Sequence, residues 1–143
     1  MYRLNIEAFV LDGETRAALE AAMGDVSLFR SALETREGGI EAAAAFYADR
    51  PTPDLLLVQS GADRGGILRQ LDRLSEVVGP GTQVVVVGEV DSIEFYRSLM
   101  DLGIGQYLLA PIAPADFLRA VRDVCGAEKS SERGRLVAGI GAR

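Results

Sequence analysis

The sequence predicts an α/β fold in which a parallel sheet of five strands is covered by helices on both faces. Two continuous apolar runs, at 55–58 and 84–87, are bounded by turn residues. Runs without alternation are typical of strands buried on both faces of a parallel sheet. Strand-like and helix-like segments alternate five times along the 143 residues, which indicates βα units and favours a doubly wound sheet in the order 2-1-3-4-5.

In the first half of the chain the helix signal is strongest at 42–45, where four consecutive alanines have high helix propensity. Pro51 and Pro53 interrupt the chain after them. The predicted elements of this half are a strand at 4–11, a helix at 14–23, a weaker strand at 26–33, a helix at 39–48 and a strand at 55–58.

In the second half, Pro114 is acceptable in the first turn of a helix because the amide hydrogen that it lacks has no partner there. The remaining predicted elements are helices at 65–78, 92–102 and 114–125 and strands at 84–87 and 106–109. In the helix at 92–102, helical spacing places Phe95, Leu99 and Leu102 on the sheet side. In the last helix it places Phe117, Val121 and Val124 there.

The end of the chain has a different composition. We expect residues 1–126 to form one domain, the polar stretch 127–134 to be a linker, and the apolar 135–143 to begin a further domain. A sixth edge strand or a tail is the alternative.

Composition excludes several classes of function. A net charge of -6 argues against binding a phosphate backbone. The chain has no histidine and one cysteine, Cys125, so triad catalysis is excluded and a zinc site is disfavoured. A single cysteine fits a reducing compartment, and no stretch is long and apolar enough to span a membrane. We therefore expect a cytoplasmic protein with neither nucleic acid as partner nor direct membrane insertion.

The residues after the predicted strands resemble the reactive site of response-regulator receiver domains, but with the reactive groups replaced. That resemblance implies a CheY- or flavodoxin-like fold with an acidic pair for Mg²⁺, an acceptor Asp, a Ser or Thr, and a Lys. Asp12 alone keeps an expected side chain. The degenerate positions of this pocket are Asp12, Gly13, Gln59, Gly88 and Ala110.

These replacements remove the phosphotransfer chemistry. The neutral amide of Gln59 cannot form an acyl phosphate. A single carboxylate, Asp12, does not compensate Mg²⁺ for the loss of its bound waters. We therefore expect neither enzymatic activity nor a metal or cofactor in this chain. Two receiver features remain: Tyr107, interpreted as a half-buried packing residue, and Ala110-Pro111, whose peptide bond is expected to be cis.

Beyond the receiver pattern, six segments carry a closer resemblance: 38–43, 46–47, 51–55, 81–88, 96–97 and 105–111. Together they resemble the N-terminal atypical receiver domain of TadZ/CpaE-type pilus assembly proteins, and 134–143 resembles the first strand of a MinD/ParA-like ATPase domain. The resemblance implies a pseudo-receiver that assembles or localises a Flp/Tad (type IVb) pilus. The domain would form a homodimer or contact proteins of the pilus, the secretion machine or the polar-localisation system. The protein would be polar or recruited to the pilus machine at the inner membrane.

An interaction surface is predicted on the helix at 92–102. Ile93, Tyr96 and Met100 widen its apolar arc to about half the circumference, more than one packing face requires. With Tyr107 and Leu118 they form the candidate interface for a homodimer. Tight packing between neighbouring helices is the competing interpretation.

Two other functions remain open at this stage. A sensor domain would bind a small molecule or nucleotide in the vacated pocket around Asp12, Gln59 and Asp63. An unusual phosphoacceptor would use Ser60.

Overall fold

The computed structural model describes residues 2–126, which form a single parallel sheet between two layers of helices. Its strands are β1 (Asn5–Val10), β2 (Ala32–Glu37), β3 (Leu55–Gln59), β4 (Gln83–Gly88) and β5 (Gln106–Leu109). Its α-helices are α1 (Gly13–Ala22), α2 (Gly39–Phe46), α3 (Arg64–Ser75), α4 (Ile93–Asp101) and α5 (Pro114–Val121). A 3-10 helix spans Val26–Leu28 and a π-helical turn spans Arg122–Gly126.

The sheet has the predicted order β2-β1-β3-β4-β5, and every pair is parallel. The central strand β3 is buried along its whole length, as its unbroken apolar run predicts. One face of the sheet packs against α1 and α5, the other against α2, α3 and α4. The predicted doubly wound fold is therefore confirmed.

The second strand lies later in the chain than the sequence predicted. Residues 26–33 were expected to form it, but Asp25 accepts the Ser27 N–H (3.0 Å) and starts the 3-10 helix. Strand β2 follows at Ala32–Glu37 on the sheet edge. An edge strand exposes one flank and carries charged residues, so it lacks the apolar run that marks a central strand.

The helix faces follow the predicted spacing with one exception. Phe95 and Leu99 are buried against the sheet, but Leu102 is 62% exposed. The prediction for Leu102 was wrong because α4 ends at Asp101 and Gly103, at φ 93°, turns the chain away. On the last helix the three predicted inward residues, Phe117, Val121 and Val124, are all buried.

The domain boundaries predicted after residue 126 lie outside the described residues. This applies to the linker at 127–134 and to the further domain at 135–143. Among residues 2–126, no helix combines the length and apolar character needed to cross a membrane.

Candidate functional site

Strands β1, β3, β4 and β5 end at the same edge of the sheet, and the residues that follow them form the candidate site. The Ser60 N–H donates to the Val87 carbonyl (2.9 Å), and the Ala110 N–H donates to the Gly88 carbonyl (2.8 Å). The structure thus places the five predicted pocket positions at this edge: Asp12, Gly13, Gln59, Gly88 and Ala110.

Gln59, at the end of β3, is a buried side chain whose polar atoms are both engaged. It is 3% exposed. Its Oε1 accepts the Leu11 N–H (2.7 Å), and its Nε2 donates to Asp12 Oδ2 (3.1 Å). A buried amide with both ends satisfied avoids the cost of an unpaired polar group. Gln59 therefore joins the end of β3 to the end of β1.

Asp12 serves as the N-cap of α1. Its Oδ1 accepts the Thr15 N–H (2.8 Å), which satisfies one of the free amides at the helix start. Hydrogen bonds from the Thr15 backbone and hydroxyl, with a smaller contribution from Gln59, hold the pKa of Asp12 below its usual value. Both carboxylate oxygens are engaged, and the described part of the chain contains no group of three acidic, cysteine or histidine side chains arranged for a metal ion.

Gly88 leaves space that the ring of Tyr107 fills. A Cβ built at residue 88 would lie 2.8 Å from the Tyr107 hydroxyl oxygen and 3.0 Å from its Cε1. Real Cβ atoms do not approach so closely, so a side chain here would compete with Tyr107 for the same volume. In this chain the position expected to carry a hydroxyl residue is therefore occupied by an aromatic ring from β5.

The hydroxyl of Tyr107 is fixed by the loop after β4. It accepts the Val90 N–H (2.9 Å) and donates to the Val90 carbonyl (2.9 Å). The ring also meets Phe95 edge-on, with centroids 5.5 Å apart. Burial raises the pKa of Tyr107, so the hydroxyl keeps the proton it donates. Tyr107 connects β5 to the loop that leads into α4.

Ala110 and Pro111 complete the edge. Their peptide bond is cis, as predicted. Ala110 packs partly buried against the core that α1 and α5 cover, and its methyl group offers no charge to an anion. The cis peptide bond at the end of β5 is therefore retained, but Ala110 stands where the receiver resemblance implies the ammonium group of a lysine.

Of the three residues around which a pocket was expected, Asp12 lines a cavity, Gln59 is buried and Asp63 caps a helix. A cavity of about 330 Å³ at this edge is lined by Val10, Leu11, Asp12, Gly13, Arg16, Glu37 and Gly38. The Asp63 carboxylate instead caps α3 by accepting the Gly66 N–H (2.8 Å). Ser60 is buried, with its Oγ donating to Gln70 Oε1 (2.7 Å) and accepting the Ala62 N–H (3.1 Å).

The predicted interface residues fall into two separate places. Ile93 is 72% exposed and, with Tyr96, borders a groove of about 370 Å³ between α4 and β5. The groove is lined by Val90, Asp91, Ser92, Ile93, Tyr96, Tyr107, Leu108, Leu109 and Asp116. Met100 packs partly buried on the α4 side, whereas Leu118 belongs to the core on the opposite face of the sheet.

Two of the predicted interface residues lie outside the exposed part of this groove. Tyr107 is buried and lines the groove from below, so it offers little surface to a partner. Leu118 borders a different cavity, beside Tyr2. Sequence reasoning missed Leu109, which is half exposed at the end of the edge strand β5; a leucine ending a short terminal strand was the available signal.

The sheet order and helix layers define a receiver fold. A CheY-like response regulator from Mesorhizobium loti matches it with a TM-score of 0.57 at 16% identity, over 84% of this chain and 97% of that chain. The pilus assembly protein CpaE of Caulobacter crescentus matches with a TM-score of 0.81 at 41% identity, over 88% of this chain and 99% of that chain. This chain belongs to the CpaE family of pilus assembly proteins.

A second solved structure supports the assignment. The CpaE2 pilus assembly protein of Sinorhizobium meliloti has a TM-score of 0.81 at 30% identity, over 84% of this chain and 98% of that chain. No family model matches the sequence, and no curated protein does.

Proposed function

We propose that this domain is a receiver-like protein-interaction and dimerisation module of a pilus assembly protein and that it works without phosphorylation. The observation that carries the proposal is Gln59, a buried amide bonded to Leu11 and Asp12 at the position expected for the acceptor carboxylate. An amide there holds two strand ends together permanently. The receiver scaffold is then retained for its surfaces, and the chain catalyses no reaction.

A direct test is exposure to a phosphoryl donor. Incubation with acetyl phosphate and Mg²⁺ is expected to leave the intact mass unchanged, because neither a free acceptor carboxylate nor a complete metal site is present in the described residues. A receiver domain with the usual residues, treated in parallel, should gain one phosphoryl group. A matching gain in this chain, mapped to Asp12 or Ser60, would contradict the proposal.

The groove between α4 and β5 is the proposed contact surface. Ile93, Tyr96 and Leu109 are apolar or aromatic, and each presents a large part of its side chain to solvent. Together with the 370 Å³ groove they form a contiguous surface rather than isolated exposed residues. Burial of such a surface against a partner contributes favourable free energy in proportion to the apolar area removed from water.

Self-association through this surface predicts a specific change in mass. The wild-type domain is expected to be dimeric by light scattering over a concentration series, and Ile93→Glu/Tyr96→Glu is expected to be a folded monomer, because two charges would be buried unpaired. Leu102→Glu is the matched control: it lies at the end of the same helix, is exposed, and does not line the groove. A double variant with unchanged mass would rule out this surface for dimerisation.

In the cell, we propose that this module recruits or positions the protein at the pilus machine on the inner membrane, at a cell pole. The support is membership in the CpaE family. The surface, rather than a signal arriving at the pocket, would select the partner.

A further inference from the structure

The end of the sheet opposite the candidate site carries a protruding apolar pair. Val26 and Phe29 are 74% and 75% exposed, the highest values for large apolar side chains in residues 2–126. Residues three apart eclipse in a 3-10 helix, so the two side chains project on the same side of this turn. Leu28 between them is buried and anchors the turn in the core.

The N-terminal segment runs beside this turn and brings an arginine to it. The Tyr2 N–H donates to the Ser27 carbonyl (2.9 Å), and the Leu4 N–H donates to Ser31 Oγ (3.0 Å). Arg3 therefore lies alongside the residues that follow the turn, where Arg30 is found. Both arginines are exposed, and within the described chain neither has an ion pair or hydrogen bond.

Two more arginines lie on the other side of the turn. A cavity of about 450 Å³ is lined by Tyr2, Asp25, Ser27, Ala115, Leu118, Arg119 and Arg122. Arg119 pairs with Asp116 (3.3 Å), whereas Arg122 has no acidic partner among the described residues. Asp25 and Asp116 oppose this charge, since the hydrogen bonds from Ser27 leave the Asp25 carboxylate negative, but the four arginines outnumber these two carboxylates. The region keeps a positive excess in a chain of net charge -6.

We propose that this basic apolar end, formed by Arg3, Val26, Phe29, Arg30, Arg119 and Arg122, binds an anionic lipid surface. In contrast to the expectation of no direct membrane insertion, Val26 and Phe29 enter the boundary between headgroups and acyl chains while the arginines contact lipid phosphates. Both side chains project into solvent. Protruding apolar side chains favour insertion into a fluid lipid interface over contact with a protein surface of complementary shape. The acidic remainder of the domain is repelled by the same surface, which orients this end toward it.

Vesicle flotation tests the proposal. The wild-type domain is expected to float with vesicles of equal parts phosphatidylglycerol and phosphatidylcholine but not with phosphatidylcholine alone, and added salt should weaken binding. Val26→Ser/Phe29→Ser is expected to lower the partition coefficient about tenfold, because the inserted apolar groups are lost. Arg3→Glu/Arg30→Glu should lower it by a similar factor. Unfolding in urea verifies that each variant is folded.

The matched control is Leu102→Ser, which removes an exposed apolar side chain just after α4 that does not line the α4 groove. It should leave vesicle binding unchanged. Failure of the wild type to float with anionic vesicles would overturn the proposal and favour an acidic protein segment as the partner of this end. Equal binding to neutral vesicles, or an equal loss of binding in Leu102→Ser, would also overturn it. A concentration-dependent dimer that is lost in the Val26→Ser/Phe29→Ser variant would overturn it in favour of a second copy of the chain. Because the lipid site and the α4 groove share no residue, either proposal can fail alone.

Discussion

Replacing Gln59 with aspartate is expected to destabilise the domain, even though it restores the residue type of a phosphoacceptor. The shorter side chain cannot reach both the Leu11 N–H and Asp12, and it places a second carboxylate beside Asp12 in a buried position. We expect the free energy of unfolding at neutral pH to fall by about 3 kcal/mol. Chemical denaturation of Gln59→Asp and wild type measures it.

The pH dependence of this loss identifies its cause. Burial and the Asp12 carboxylate raise the pKa of the introduced carboxyl in the folded state above its unfolded value. Its neutral form is therefore favoured by folding, so the penalty is smallest below about pH 4 and grows as the pH rises through the folded pKa. Gln59→Asn, equally short but uncharged, should lose about 1–3 kcal/mol without this dependence. Identical pH profiles for the two variants would contradict the charge argument.

Gly88→Thr is the second substitution with a large expected effect. The new side chain would occupy the volume of the Tyr107 ring, because even a Cβ at residue 88 lies 2.8 Å from the Tyr107 hydroxyl oxygen. We expect a loss of about 1–3 kcal/mol in the free energy of unfolding. The Tyr107 hydroxyl should also separate from Val90, which amide exchange at Val90 would detect as lost protection.

Gly13→Thr is the control for that substitution. Gly13 stands at the same edge of the sheet, but nothing lies within 4 Å of a Cβ built there. Its effect should stay within about 0.5 kcal/mol. In a Tyr107→Leu background the cost of Gly88→Thr should shrink, since the competing ring is gone. An unchanged cost in that background would show that Tyr107 is not the obstacle.

Taken together, Gln59 and Tyr107 give the carboxyl edge of the sheet one fixed arrangement. Gln59 connects β1 to β3, and Tyr107 connects β5 to the loop before α4. Gln59 and Asp12 stand at positions that the receiver resemblance assigns to phosphotransfer, and the Tyr107 ring fills the space beside a third such position, Gly88. None of these hydrogen bonds requires a modification, and those of Tyr107 support the groove beside α4.

The fold could be predicted because its signals are local and strong. The buried runs of β3 and β4 lack alternation, which identifies a parallel sheet. The edge strand β2 could not be placed correctly, because its exposed polar residues carry no such pattern and the apolar residues before it belong to a 3-10 turn.

The site positions were predicted from chain order, but their contacts were not. The sequence shows that Gln59 is no acceptor, yet only the register of β1 and β3 reveals that its amide spans Leu11 and Asp12. Similarly, Gly88 and Tyr107 are 19 residues apart in number (107 − 88), and the ring's position depends on the pairing of β4 with β5. Helical spacing alone also does not tell which side of the sheet a helix covers, so the sequence could not show that Leu118 and α4 lie on opposite faces.

We propose that the surface of this domain, rather than the chemistry of its pocket, supports pilus assembly. The most direct test counts pili by electron microscopy in a deletion strain that carries the full-length protein at matched levels. Asp12→Asn keeps an N-cap oxygen but removes the one charge among the five degenerate pocket positions. It should preserve piliation, while Ile93→Glu/Tyr96→Glu should abolish it. Loss of pili in Asp12→Asn together with normal pili in Ile93→Glu/Tyr96→Glu would contradict the account.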